Sequence, residues 1–195
     1  MAFIASLFCL IATSHIFAEE LTTPMDKLTK PESTTVEFKT SMGDIVIRLY
    51  DKQVPVTTEN FIQYVKSGFF KDTVFHRVVP GFVIQGGGHT ADLERKETKD
   101  PIINEAKTGP QNKRGTLSMA RTSLPNSATS QFFINLVDNS SLDPNSGSAG
   151  YAVFGEVIEG MNVVDSIAAV PTNRQGMHQN VPIKPIVVLD AKIRE

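Results

Sequence analysis

Apolar and polar residues alternate along much of the chain, and this period of two predicts β-strands. Val36 and Phe38 alternate with polar neighbours, and Ile45 and Ile47 do the same after a turn-like segment at 41–44. These two runs predict a hairpin with one buried face. Further short apolar runs predict strands at 74–79, 82–85, 116–120, 131–137, 151–157 and 185–193. The last of these runs is apolar on both of its faces.

Two other segments place their apolar residues at helical spacing. The first segment lies between residues 54 and 70, with Pro55 near its start and Gly68 as the expected C-terminal stop. Its apolar positions are Phe61, Ile62, Val65 and Phe69. The second segment lies within 160–170, and its apolar side consists of Val163, Val164, Ile167 and Ala168. Both segments are typical of amphipathic helices that pack on a sheet.

The sum of these elements predicts a mainly β fold. Many short strands, two helices and connections rich in Gly, Pro, Asn and Ser favour a closed eight-stranded antiparallel β-barrel capped by two α-helices. Side chains fill the interior of a barrel of this size, so a ligand would bind on its outer wall or at its mouth. Residues 89–114 are charged and irregular, and we expect them to form a surface loop.

The N-terminus differs from the rest of the chain. Residues 2–18 contain no Lys, Arg, Asp or Glu, and Ala18 precedes a pair of glutamates. We interpret residues 1–18 as a cleaved signal peptide, with a retained anchor or a wrongly assigned start as alternatives. Residues 19–33 are polar and contain two prolines, which is typical of a flexible linker. The folded domain would then span residues 34–195.

The cysteine content and the net charge indicate the cellular compartment and the kinds of binding partner to expect. The single cysteine, Cys9, falls within the predicted signal, so the mature chain would contain none. This suits an oxidising compartment and, together with the signal, predicts a periplasmic location. A net charge of −2 and a pI near 6.1 give no sign of a nucleic-acid or anionic-membrane partner. We expect a monomer that does not associate with a membrane after signal cleavage.

The sequence contains no motif that indicates a metal or a cofactor. The four histidines are scattered along the chain, which predicts no metal site. The Gly86–Gly88 run is not followed by the Gly-Lys-Ser/Thr of a phosphate-binding loop. Asn139-Ser140-Ser141 has the form of an N-glycosylation sequon. We therefore expect a function that needs no cofactor.

An unusual mixture of polar and apolar residues marks the candidate site. In "FHRVVPGFVIQGGG", residues 75–88, Arg77 comes shortly before an apolar strand that ends in Gln85. Alternation would place Val83 and Gln85 on one face of this strand, and Phe82 and Ile84 on the other.

The segment "SATSQFFIN", residues 127–135, shows the same mixture. Alternation places Gln131 and Phe133 on one face of the strand and Phe132 on the opposite face. A face that combines glutamine with phenylalanine is typical of a shallow pocket with an apolar floor and a hydrogen-bonding rim.

These segments, with "RGTLSMART", "GYAVFGEVIEGMNVVD" and "VPIKPIVVLDAKI", resemble the cyclophilin family of peptidyl-prolyl cis-trans isomerases. The likeness runs in order from about Thr34 to Ile193, and the Ala-Arg-Thr and Tyr-Ala-Val-Phe-Gly spellings resemble its bacterial periplasmic branch. It implies an eight-stranded barrel, no cofactor, and proline-containing polypeptides as substrates.

The resemblance also implies roles for individual residues. Arg77 matches the catalytic arginine of the family, and Gln85 matches a group that holds the substrate backbone beside it. The residues that match the substrate-binding positions are Phe82, Val83, Met119, Ala120, Arg121, Gln131, Phe133, Leu142 and Tyr151. This chain departs from many relatives at Val83, Arg121 and Tyr151, and at Ser141, where many relatives carry an aromatic residue.

Two other functions are compatible with parts of the sequence. A cyclophilin-like domain could hold proline-containing chains as a chaperone without isomerising them, but such a module would not need Arg77. A hollow barrel could carry a small molecule as lipocalins do, but the Gln-Phe-Phe segment argues against that class. Isomerisation of X-Pro bonds in exported proteins is the function that the sequence favours.

The predicted signal peptide can be tested by mass. If residues 1–18 are removed during export, the intact mass of protein recovered from the exported fraction will correspond to a chain that starts at or near Glu19. Recovery of the exported protein with Met1 still attached would contradict cleavage.

Overall fold

The structure, a computed structural model, describes residues 33–194, so the predicted signal peptide and all but the last residue of the predicted linker lie outside the described residues. Within this range no helix is long and apolar enough to cross a membrane. The strands are β1 (Thr35–Thr40), β2 (Gly43–Leu49), β3 (Arg77–Val79), β4 (Val83–Gly86), β5 (Thr116–Met119), β6 (Phe132–Asn135), β7 (Val153–Glu159), β8 (Thr172–Gln175), β9 (His178–Pro182) and β10 (Val188–Arg194). The helices are α1 (Pro55–Lys66) and α2 (Met161–Ala168), and Ser140–Leu142 form a single 3-10 turn.

The predicted hairpin and both predicted helices are confirmed. β1 pairs antiparallel with β2, and Thr40 lies opposite Gly43 across a two-residue connection. Helix α1 begins at Pro55 and is followed by Gly68, whose φ of +68° ends the helix in the left-handed conformation that glycine adopts without strain. Helix α2 buries Val164 and Ile167 against the sheet.

An aromatic cluster fills the space between α1 and the inner face of the sheet. Phe61 of α1 lies at its centre, with ring centroids 4.8 Å from Phe154, 5.1 Å from Phe70 and 5.6 Å from Phe132. All four of these side chains are almost completely buried. Aromatic pairs at such distances add to the stabilisation that burial of apolar area provides. The concave side of the sheet is therefore a packed core and offers no room for a ligand.

The predicted closed barrel is wrong. Within residues 33–194 eight strands form one sheet in the order β10-β1-β2-β7-β5-β6-β4-β3, and its two edge strands do not pair with each other. One β-bridge, between Val74 and Val187, and a few backbone hydrogen bonds around it join the segments that precede these two edges. Closure requires a continuous ladder, and β3, with three residues, is too short to supply one along the seven-residue β10. The sheet is therefore a curled, open half-barrel.

Two further features of the sheet differ from the sequence prediction. Strands β8 and β9 form a separate two-stranded ribbon that the sequence did not predict, because its residues are mostly polar. Strand β10 is not buried on both faces: Val188 and Ala191 are buried, whereas Leu189 is 51% exposed at the edge of the sheet.

The segment 89–114 contains no helix or regular strand, as predicted. It is nevertheless hydrogen-bonded to the start of α1. The carboxylate of Glu105 accepts hydrogen bonds from the backbone N–H of Thr57 at 2.7 Å and of Val56 at 3.3 Å. These are N–H groups of the first turn of α1, where a negative charge stabilises the helix. The loop therefore supplies the cap that α1 lacks in its own sequence.

Candidate active site

A cavity of about 200 Å³ opens on the convex face of the sheet. Its lining residues come from β3, β4, β6 and the connections around them, and every one of them was predicted from the sequence. They are Arg77, Phe82, Val83, Gln85, Ala120, Arg121, Phe133, Leu142 and Tyr151. The outer-wall location follows from the filled interior of the half-barrel.

The turn before β4 sets the position of Phe82. Gly81 has a φ of +71°, and the N–H of Phe82 donates to the carbonyl of Val79 at 3.0 Å. Phe82 thus lies in the turn before the strand begins, where strand alternation does not apply. It lines the cavity together with Val83, whereas Ile84 is buried in the core. The prediction that Phe82 shares the face of Ile84 is therefore wrong.

A row of polar side chains crosses the rim of the cavity. Arg77 lies opposite Gln85 in the β3–β4 pair, and its Nη1 donates to Gln85 Oε1 at 3.3 Å. Gln85 Nε2 donates in turn to Gln131 Oε1 at 3.1 Å. No carboxylate pairs with Arg77 among the described residues. The guanidinium is thus oriented by a neutral partner and keeps its other donors available.

Tyr151 forms one wall of the cavity. Its ring meets that of Phe133 edge to face, with centroids 5.6 Å apart. The guanidinium of Arg121 lies over the same ring, 4.5 Å from its centroid, and donates to the carbonyl of Gly150 at 2.9 Å. A cation above an aromatic face is attracted by the quadrupole of the ring. Arg121 is therefore held in place by contacts within the chain.

Two of the predicted site residues lie outside this cavity. Gln131 lines a neighbouring cavity and is joined to the site through Gln85. Met119 pairs with Phe132 across β5 and β6, is 2% exposed, and belongs to the core. The structure therefore does not place Met119 where it could contact a substrate in this cavity.

Three buried asparagines behind the cavity were missed in the sequence. Asn139 Nδ2 donates to the carbonyl of Phe82 at 3.1 Å and to Asn135 Oδ1 at 2.8 Å. Asn135 Nδ2 donates to Thr116 Oγ1 at 3.0 Å and to Asn112 Oδ1 at 3.3 Å. Because the amide of Asn139 is buried and engaged, this side chain is not presented as the sequon would require.

The third asparagine ties the network to the opposite wall. Asn112 Nδ2 donates to Asp143 Oδ1 at 2.9 Å and to the carbonyl of Tyr151 at 3.4 Å. The network therefore connects the Phe82 turn with the segments that carry Leu142 and Tyr151. The sequence gives only a weak indication of this asparagine network. Asn135 differs from an ordinary buried strand residue only in being the polar end of the apolar run "FFIN".

Three histidines that are distant in sequence lie together beside the site. The ring centroids of His76 and His89 are 4.3 Å apart, and those of His89 and His178 are 5.2 Å apart. Within residues 33–194 no group of His, Cys, Asp or Glu is arranged to hold a metal ion. The Nδ1 atoms of His76 and His89 are buried without a hydrogen-bond partner.

Burial determines the charge of two of these histidines. Desolvation, reinforced by the neighbouring imidazoles, lowers the pKa of His76 to about 3. The same two causes lower the pKa of His89 to about 4. Both rings are therefore neutral at pH 7.

Fold and site together define the class of this protein. The family model described as "Cyclophilin type peptidyl-prolyl cis-trans isomerase/CLD" matches residues 35–193. The chain belongs to the cyclophilin-type peptidyl-prolyl cis-trans isomerase family, and isomerase activity is the activity of its class.

Comparison with individual relatives places the chain beside bacterial members. It is 54% identical over 162 residues to a peptidyl-prolyl cis-trans isomerase of Acinetobacter baylyi, covering 83% of this chain and 86% of the relative. It is 50% identical to peptidyl-prolyl cis-trans isomerase B of Escherichia coli, covering 82% and 99%. A cyclophilin structure from Cryptosporidium parvum, solved in the presence of the dipeptide Ala-Pro, matches with a TM-score of 0.66 and 30% identity, covering 83% and 99%.

The asparagine network can be tested through Asn139. Asn139→Ala leaves Asn135 Oδ1 buried with one donor fewer and removes one of the two hydrogen bonds that the carbonyl of Phe82 accepts, the other coming from the Leu136 N–H. We expect the free energy of unfolding to fall by about 1–3 kcal/mol, because a buried polar group loses its partner. KM for a proline peptide should rise more than kcat falls, since the turn shapes the apolar wall. Urea unfolding and steady-state kinetics measure the two effects, with the exposed Asn145→Ala as control. Unchanged stability and KM would contradict a positioning role.

The histidine cluster predicts acid sensitivity. A histidine with a lowered pKa in the folded state stabilises fully above its unfolded pKa of about 6.5, and this stability is lost as the pH falls towards the folded value. Each such group can lower the free energy of unfolding by up to about 1.4 kcal/mol per pH unit.

Urea unfolding between about pH 6.5 and 5, above the range of ordinary carboxyl groups, measures this slope. His89→Gln removes one titrating group and also relieves the repulsion that lowers the pKa of His76. The variant should therefore show a shallower dependence on pH than the unaltered protein. Equal slopes in the two proteins would contradict the assignment.

Proposed function

We propose that this protein isomerises X-Pro peptide bonds in exported polypeptides, with Arg77 as the catalytic donor. The observation that carries the proposal is the guanidinium of Arg77 at the rim of an apolar cavity, held by Gln85 and free of any carboxylate partner among the described residues. A cation placed beside an apolar cavity without a counter-charge has no evident structural task.

The chemistry of the X-Pro bond explains why one donor suffices. Rotation about the bond has a barrier of about 18–20 kcal/mol, because the amide nitrogen shares its lone pair with the carbonyl. In the twisted transition state that conjugation is lost, and the nitrogen becomes a hydrogen-bond acceptor. A guanidinium directed at this nitrogen binds the twisted form better than either planar isomer, which lowers the barrier. No nucleophile, metal or cofactor takes part in this step.

The remaining residues of the cavity would hold the two sides of the bond. Phe82, Phe133 and Leu142 supply apolar area for the proline ring, and the cavity of about 200 Å³ is of a size suited to one side chain. Gln85 would bind the substrate backbone with the donor and acceptor capacity that Arg77 and Gln131 leave open. One side of the bond can then rotate while the other stays fixed. The Ala-Pro dipeptide added to the Cryptosporidium parvum relative supports a substrate of this kind.

The cellular role follows from the N-terminal sequence. A signal peptide at residues 1–18 and a linker at 19–33 would deliver a cysteine-free domain to the periplasm, where exported chains fold. Uncatalysed X-Pro exchange takes tens to hundreds of seconds, so a catalyst in that compartment would accelerate folding. We expect the mature protein to act as a monomer, with no nucleic-acid partner.

Substitution of Arg77 separates catalysis from mere binding. Arg77→Ala removes the proposed donor but no buried ion pair, so the thermal unfolding transition should move little. kcat/KM for an Ala-Pro peptide should fall roughly a hundred- to a thousandfold, the usual effect of losing one transition-state donor. Exchange NMR and a thermal melt measure the two quantities. Arg77→Lys, which keeps the charge but loses the planar fork, should recover only part of the activity.

Phe133→Ala provides the contrasting variant. Its side chain is 5% exposed and packs on Tyr151, so truncation should reduce both peptide affinity and stability, the latter by about 3–5 kcal/mol at most. Full activity of Arg77→Ala would show that the arginine is a surface charge and would favour the non-catalytic chaperone alternative.

A further inference from the structure

A second cavity lies directly beside the first. Its volume is about 350 Å³, and it shares Gln85, Ala120 and Arg121 with the cavity described above. Hydroxyl groups of Thr122 and Ser127 line part of it, and these two groups are hydrogen-bonded to each other at 2.8 Å. A polypeptide with its proline in the first cavity would therefore place a neighbouring side chain in or over the second.

The charged residues that line this second cavity are the two arginines Arg95 and Arg121, and no Asp or Glu lines it. The histidines His89 and His178 line it as well. The protein as a whole carries a net charge of −2, so this local excess of positive charge does not reflect its overall composition.

The acidic residues nearest in sequence do not neutralise Arg95. Asp92, Glu94 and Glu97 lie in the same loop, but they are exposed to solvent and are not among the lining residues. None of the ion pairs within residues 33–194 involves Arg95. Its guanidinium is thus available to a ligand.

The two histidines contribute hydrogen-bonding groups in addition to the charged arginines. His89 is neutral at pH 7 because burial lowers its pKa. An imidazole N–H can donate a hydrogen bond to a carboxylate alongside the guanidinium groups.

We propose that the second cavity binds the carboxylate of an Asp or Glu residue that flanks the proline of the client, so that the enzyme prefers acidic sequences. This inference rests on the proposed function for the placement of the client chain. Arginine is suited to the task because its fork of donors matches the geometry of a carboxylate. A Lys or Arg at the same client position would meet like charge and bind less well.

A peptide series tests the preference. The peptides share a central Ala-Pro and carry Glu, Gln or Lys at one position at a time on either side of it. NMR titration gives the Kd of each peptide, and exchange NMR gives its rate of isomerisation. We expect Glu to bind about two- to fivefold more tightly than Gln at one flanking position, the size typical of a solvent-exposed ion pair. Lys should bind more weakly than Gln there, and added salt should reduce both differences.

Two variants test whether the second cavity causes the preference for Glu peptides. Arg95→Gln should bring the Glu-to-Gln ratio of Kd values close to one. Arg174→Gln serves as the matched control, because it removes the same charge from an exposed residue that does not line the cavity. This control should keep the preference of the unaltered protein.

Three outcomes would overturn the proposal. They are equal Kd values for Glu and Gln peptides at every position, an undiminished preference in Arg95→Gln, and an equal loss of preference in the Arg174→Gln control. Failure of the proposed function is a separate result, since it would appear as absent turnover of the Gln peptides whatever their affinities are. The Kd ratio in Arg77→Ala should match that of the unaltered protein, because acid binding does not require the catalytic step.

Discussion

The alternation of side chains along β6 is the constraint on which the core and the site both depend. Phe132 points into the half-barrel and meets Phe61 of α1 at 5.6 Å, whereas Phe133 points outward and lines the candidate site. A shift of register by one residue would exchange these two rings and destroy core and cavity together. The burial energy that fixes Phe132 in the core therefore also fixes Phe133 in the site.

The polar parts of the site are fixed by a second set of interactions. Gln85 orients Arg77 on one side of the cavity, and the Asn112–Asn135–Asn139 network holds the backbone of the opposite walls. A site that works by one well-placed donor loses its effect when that donor is free to move. Buried amides that are hydrogen-bonded to one another supply this rigidity, because a different arrangement would break hydrogen bonds between buried polar groups.

The sequence predicted those features that depend on local periodicity and on the family resemblance. The hairpin, both helices and every residue of the first cavity belong to this group. The prediction that Phe132 and Phe133 of β6 lie on opposite faces was also correct. Four features depend on tertiary context and were not predictable in this way. The gap between β3 and β10 depends on the lengths of these strands, and the β8–β9 ribbon lacks an apolar face that a sequence pattern could reveal. Met119 was predicted to be a site residue, but its side chain belongs to the core. The clustering of His89 with His178 required the fold, because nearly ninety residues separate them.

The two proposals assign turnover and client choice to different parts of the molecule. Arg77, Gln85 and Phe133 lie on strands whose opposite faces form the core, so changes at these positions also affect packing. Arg95 and His178 lie on a surface loop and on the separate ribbon, which contribute little to the core. Because Arg95 and His178 lie on the loop and the ribbon, substitutions there would leave the packing around Arg77 and Phe133 in place, although the two cavities share Gln85, Ala120 and Arg121. Under these proposals, a half-barrel with a filled interior would keep one chemistry on its outer wall while the surrounding loops adjust which chains it receives.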